Sequence, residues 1–119
     1  MNGERKRYGP EGLRVYDLAL QFAARLDELL SEARCSASLR DQLTRAAESV
    51  VLNIAEGAGH VMPGRKAYHY GIARASVNEC IGGLPILQLR NPGINFIPLR
   101  RMGDMQCTML TALIRRYQS

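Results

Sequence analysis

The sequence predicts an all-α protein, an up-and-down four-helix bundle, and three observations carry that expectation. Apolar residues recur at helical spacing along four separate segments. Glycine and proline clusters punctuate the chain between those segments. The core, with no Trp and two Phe, must be built from Leu, Ile, Val, Ala and Met, a mixture that favours helices. A chain of 119 residues suits one domain, and a domain of that size hides roughly two-thirds of its unfolded surface on folding.

Gly9-Pro10-Glu11-Gly12 breaks the chain, so residues 1–12 are expected to form a flexible basic tail ahead of a bundle over residues 13–119. The first helix is predicted from Leu13 to about Ala33. There Val15, Tyr16, Leu18, Ala19, Phe22, Ala23, Leu26, Leu29 and Leu30 share one side of the wheel, opposite Arg14, Asp17, Gln21, Arg25 and Glu28. Ser36 and Ser38 offer N-cap oxygens for the second helix, and Asp41 places negative charge near the positive end of its dipole. This helix runs from about Leu39 to Gly59. Its apolar face is Leu39, Leu43, Ala46, Ala47, Val50, Val51, Ile54, Ala55 and Ala58, and Gly57 and Gly59 mark its end.

After the turn Met62-Pro63-Gly64, a third helix is expected to start near Arg65 and to bury Tyr70, Ala73, Val77, Cys80, Ile81 and Leu84. Gly82-Gly83 and then Pro85 are expected to weaken or kink it, because proline removes a donor and clashes with the preceding turn. Asn91-Pro92-Gly93 reads as a loop. Pro98 fits the first position of a fourth helix whose inward residues are Leu99, Met102, Met109, Leu110, Leu113 and Tyr117.

Charge is unevenly placed. Residues 1–60 carry eight basic and nine acidic side chains, residues 61–119 eight basic and two acidic, so the net charge of +5 belongs to the second half. Arginine supplies 14 of the 16 basic side chains, and its planar fork suits phosphate. Arg65, Lys66 and Arg74 on the third helix, with Arg100, Arg101, Arg115 and Arg116 on the fourth, are the candidate nucleic-acid contacts; a solvated helix face accounts for them equally well. No stretch approaches the roughly 18 continuous apolar residues of a membrane span, and residues 1–7 lead into no hydrophobic signal region. A cytoplasmic protein without membrane partners is the expectation. Cys35, Cys80 and Cys107 are odd in number and widely spaced, which suits reduced thiols.

Catalytic machinery is hard to assemble from these residues. A di-iron bundle needs Glu-x-x-His pairs, whereas Glu56 and His60 are four apart, Glu79 is the other helical carboxylate in mid-chain, and His69 reads as a helix-end residue. No nucleophile elbow and no phosphate-cradling glycine loop occurs. No enzyme activity, metal or cofactor is therefore expected. Asn53 is a poor helix former in mid-helix, which points to a side-chain hydrogen bond, and Gly57 lies inside the apolar face, where a missing Cβ admits a close backbone. Packing and polar register account for Asn53, Glu56 and Gly57; a binding role is the other reading. Leu52 projects from the polar side of the second helix, and Tyr68, Ile72 and Ala75 form a strip away from the main stripe of the third, so Leu52, Tyr68 and Ile72 are the candidate subunit contacts.

The run from Leu39 to Gly57, centred on Asn53-Ile54-Ala55-Glu56-Gly57 after Arg45-Ala46-Ala47, resembles the signature of bacterial four-helix-bundle proteins related to the 23S rRNA intervening-sequence protein. Leu13 to Ala19 is similar to that family's opening helix and Tyr68 to Glu79 to its third. The resemblance implies the four-helix bundle, a ring-like homo-oligomer with a pentamer as first expectation, and no enzyme activity. A more distant likeness, to the accessory protein of diversity-generating retroelements, implies RNA or DNA as partner and a reverse transcriptase or other protein alongside it. The leading expectation is a non-enzymatic, oligomeric bundle that binds nucleic acid through its third and fourth helices; the alternative is a protein-protein scaffold.

Overall fold

The computed structural model describes residues 13–118, and the expected basic tail over residues 1–12 lies outside them. Four helices follow in order: α1 (Arg14–Glu32), α2 (Ala37–Gly59), α3 (Pro63–Arg90) and α4 (Ile97–Gln118). Each packs on its sequence neighbours and α4 closes against α1, while the diagonal pairs α1/α3 and α2/α4 make no close backbone approach. That is the up-and-down bundle. Its interior divides into two layers along the axis. Phe22, Leu26, Leu30, Leu43, Leu84, Leu87, Phe96 and Leu99 fill one end, and Val15, Ala19, Val50, Ile54, Tyr70, Val77 and Leu110 fill the other.

Local chemistry explains the helix ends. Ser36, rather than Ser38, caps α2, its Oγ accepting from Leu39 N at 3.1 Å. Asp41 falls beyond the first turn and instead pairs with Arg45 at 3.2 Å, an exposed i,i+4 contact. Arg40 reaches back from α2 so that its Nε and Nη2 donate to the Leu30 carbonyl, at 3.2 and 3.0 Å, closing the end of α1. Asn91 ties the α3 end to the α1–α2 connection, accepting from Arg34 N and donating to Arg34 O.

Two expectations are corrected. The third helix does not end at the Gly82-Gly83-Pro85 segment expected to weaken or kink it: α3 continues through all three to Arg90. A helix-interior proline costs about 3 kcal/mol. Burying Leu84 and Leu87 on the helical surface contributes about 1.5–3 kcal/mol each, which offsets it, and Pro85 itself is exposed. Gly83 is required rather than disruptive, since a Cβ there would stand 2.6 Å from Leu43 Cδ2. The fourth helix begins at Ile97 instead of Pro98, with Asn95 Oδ1 accepting from Ile97 N at 3.1 Å. Its buried row is Leu99, Gly103, Gln106 and Leu110, while Met102, Met109, Leu113 and Tyr117 are half-buried.

Candidate functional site

Antiparallel packing of α3 and α4 decides how the candidate basic residues group. Arg74 Nε donates to Thr111 Oγ1 at 2.9 Å across the seam, and the register carries Arg65 and Lys66 to the same end as Arg115 and Arg116. Lys66 Nζ and Arg116 Cζ both lie over the Tyr117 ring, at 5.5 and 5.4 Å from its centroid. Lys66 is also committed to α2, its ammonium donating to Gly57 O at 3.1 Å and Ala58 O at 3.0 Å, where it closes the helix C-terminus. Arg100 and Arg101 sit at the far end of α4, about 21 Å along the axis from Arg115 at 1.5 Å per residue. Arg100 Nε is paired with Asp104 Oδ1 at 3.2 Å. The seven residues are therefore spread along α4 and its seam with α3 rather than gathered in one compact patch, and Arg116 stands with Arg14 on the α1 side of α4. Arg65, Arg74, Arg101, Arg115 and Arg116 are exposed, and none of them makes an ion pair among the described residues.

The polar residues of the α2 motif form a second constellation. Asn53 Nδ2 donates to the Ser49 carbonyl at 2.9 Å and to Ser49 Oγ at 3.2 Å, while Ser49 Oγ lies 2.8 Å from Ser76 Oγ on α3. The Asn53 Oδ1 stands 3.0 Å from His69 Nδ1. Glu56 Oε2 lies 3.4 Å from His60 Nε2 and 4.0 Å from His69 Nε2, and the two imidazoles stack with centroids 4.9 Å apart. One ligand-type atom from each of Glu56, His60 and His69 falls within 4.8 Å of the others. Leu52, Ala55, Glu56, Gly59 and His60 line an open depression of about 510 Å³ in front of them. Ala55 is half-buried beside this row.

Gly57 has the close neighbour its wheel position suggests, but that neighbour is a ring rather than a backbone. A Cβ at Gly57 would meet Tyr70 Cε1 at 2.7 Å. Burial pushes the Tyr70 hydroxyl up to about 12.

The Glu-x-x-His test on α2 passes over the cluster because the third donor comes from the next helix. His69 lies inside α3, not at a helix end. A signal for it was present: residues roughly equidistant from a tight turn between antiparallel helices face one another, and the turn at His60–Met62 puts Asn53 and Glu56 opposite His69. Leu52 and Tyr68 are 64% and 60% exposed, Ile72 is half-buried, and the Tyr68 ring sits edge-on to His69 at 5.2 Å. Val61 and Met62, in the same turn, are exposed as well. No described helix is long and apolar enough to cross a membrane.

Comparison with known proteins gives one family. No curated protein and no solved structure shows a significant match to the chain. The family model described as 23S rRNA-intervening sequence protein matches residues 11–91, which spans α1 to α3 and stops where the loop to α4 begins. Since that match takes in the Asn53 to Gly57 motif and more than half of the chain, the protein belongs to the 23S rRNA-intervening sequence protein family.

Proposed function

We propose that this protein is a non-enzymatic, homo-oligomeric bundle of the cytoplasm that binds RNA or DNA through phosphate contacts along α4 and its seam with α3. The observation that carries the reading is the set of exposed arginines Arg74, Arg101, Arg115 and Arg116, spread along a half of the chain whose acidic side chains are Glu79 and Asp104 alone. Arg101 and Arg115 stand apart by about the length of six phosphates of one duplex strand, at 1.5 Å per helical residue and 3.4 Å per phosphate. Guanidinium forks spaced along such a length suit a sugar-phosphate backbone better than a compact anion. Arg65 adds to the set at one end, Arg100 contributes less because Asp104 holds it, and Lys66 supports the surface by closing α2. Since α4 lies beyond the family match, the reading rests on this chain's own residues. The exposed Leu52 and Tyr68 with the half-buried Ile72 support self-association, with a pentameric ring as first choice. A reverse transcriptase or other protein partner follows only by the distant likeness.

The test is fluorescence anisotropy of labelled RNA and DNA oligomers with the wild type and with Arg101→Glu/Arg115→Glu/Arg116→Glu. Charge reversal at three exposed positions is expected to weaken binding more than tenfold while light scattering reports the same oligomer. Equal binding by both proteins, or none by the wild type at low salt, contradicts the reading. A scaffold role is the second reading. It is favoured by the outer side of α3, where Tyr68, Ala75, Gly82, Ile86 and Leu89 are exposed, with the charged Glu79 between Ala75 and Gly82.

A further inference from the structure

We propose that Glu56, His60 and His69 form a binding site for a divalent transition-metal ion of the zinc type, at the junction of the α2 C-terminus and the first turns of α3. The donor set is two imidazoles and a carboxylate, a combination that zinc accepts with a fourth position left open. Glu56 and His60 are spaced i,i+4, which places both side chains on one helical face, and His69 comes in from α3.

Hydrogen bonding fixes which nitrogen of His69 is available. The Ser49 carbonyl can only accept, so the Asn53 amide must turn its Nδ2 toward it, at 2.9 Å. That leaves Asn53 Oδ1, also an acceptor, facing His69 Nδ1 at 3.0 Å, so Nδ1 must carry the hydrogen. In the neutral ring Nε2 then presents a bare lone pair. It stands 4.0 Å from another electron-rich atom, Glu56 Oε2, and His60 Nε2 lies 3.4 Å from the same oxygen. The His69 Nε2 lone pair and the Glu56 carboxylate are two acceptors facing each other, and a cation between them would satisfy both and draw in His60. Asn53, held in turn by Ser49 and Ser76, has the position of the outer residue that orients a metal-ligating histidine.

The fit is close but not preformed. Bonds of about 2.0–2.2 Å in tetrahedral geometry set donor atoms about 3.3 Å apart. The donors here lie within 4.8 Å of one another, so closure requires rotation of Glu56 and His60. Glu56, 62% exposed, can turn in solvent, His60 at 30% must leave its stack on His69, and His69 is held at 15%. The open depression bordered by Leu52 and Gly59 adjoins Glu56 and His60 and leaves room for a further ligand.

The experiment is titration of chelator-stripped full-length protein with Zn²⁺ alone, in competition with a chromophoric chelator, repeated with Co²⁺ for its absorption spectrum. One ion per chain is expected, with nitrogen and oxygen ligand-field bands and no thiolate charge transfer. Glu56→Gln and His60→Ala, both at accessible positions, should each weaken Zn²⁺ binding at least tenfold, as should His69→Ala. Asn53→Ala, which removes no ligand, should weaken it by about 10–100-fold. Replacing Cys35 and Cys107 by Ser should leave it unchanged. Absence of saturable binding, binding that survives Glu56→Gln and His60→Ala, or binding lost with the cysteines would each overturn the proposal. Nucleic-acid binding by the α4 arginines is a separate measurement, so either result stands without the other.

Discussion

Replacing Gly57 by Ala tests the packing around the α2 motif, because two opposing effects of known size meet at one atom. In an open helix interior, Gly→Ala stabilises by about 0.5–1 kcal/mol. At Gly57 the added methyl would stand 2.7, 2.9 and 3.1 Å from three atoms of the Tyr70 ring, where ordinary contacts begin near 3.4 Å. Tyr70 is 1% exposed and packed among Val15, Val50, Ile54 and Leu110, so the ring cannot swing aside into solvent. Overpacking of this kind costs about 1–3 kcal/mol, and the net expectation for Gly57→Ala is destabilisation by about 1–2 kcal/mol. Urea denaturation followed by circular dichroism measures it. Gly71→Ala is the internal control: Gly71 is also helical, and a Cβ there meets nothing within 4 Å, so it should gain up to about 1 kcal/mol. Adding Tyr70→Leu to Gly57→Ala should make the pair less destabilising than the sum of the two single changes. If Gly57→Ala stabilises the fold as Gly71→Ala does, the close approach of α2 to Tyr70 is wrong.

Further outcomes follow from the interior. Gln106 is fully buried, its Nε2 donating to Met102 O at 3.2 Å, and no donor among the described residues reaches its Oε1. Gln106→Met, of similar shape, should therefore raise stability by about 1–2 kcal/mol in the same denaturation assay. Pro85→Ala should lengthen no helix yet stabilise α3 by about 2 kcal/mol, the interior penalty less the chain entropy that proline removes from the unfolded state. Burial pushes the Cys80 thiol from 9.0 up to about 12, with Glu79 adding to the rise. An acid whose pKa is higher in the fold contributes its full stability below pH 9 and loses it as pH climbs from 9 toward 12. Cys80→Ala should accordingly flatten the alkaline fall of the melting temperature, and in the native wild type a thiol reagent should modify the half-exposed Cys35 and Cys107 while sparing Cys80.

Where the sequence was informative, the structure shows why. The apolar period of α2 and the serine before it place a capped helix almost to the residue, since burial and capping act locally and agree. Asn53 and Gly57 stood out as residues that helix propensity would not choose, and each has a tertiary partner, His69 and Tyr70. The end of α3 was not legible, because Gly82, Gly83 and Pro85 are local breakers overruled by long-range packing against Leu43 and the α4 side. Gln106 was hidden for the opposite reason: at helical spacing it falls between Leu99 and Leu110, but a polar residue there does not register as core. The histidine-glutamate cluster needed the register between two helices, which the short turn implies and no single-helix wheel contains. The basic residues were legible one by one on the third and fourth helices, but not their arrangement in space. Their spread along α4 came from the antiparallel placement of α3 and α4, while Lys66 is held by the α2 C-terminus and Arg100 by Asp104 one turn on.

The salt dependence of nucleic-acid affinity tests the central claim most directly. Four exposed arginines on phosphates predict that log K for duplex DNA falls against log salt with a slope of about −3.6, and about −2.8 for a single strand, at roughly 0.9 and 0.7 per contact. Arg101→Glu should then take about one contact from that slope without changing the oligomer. A flat response across the salt range, or a slope that Arg101→Glu, Arg115→Glu and Arg116→Glu all leave untouched, contradicts phosphate binding along α4.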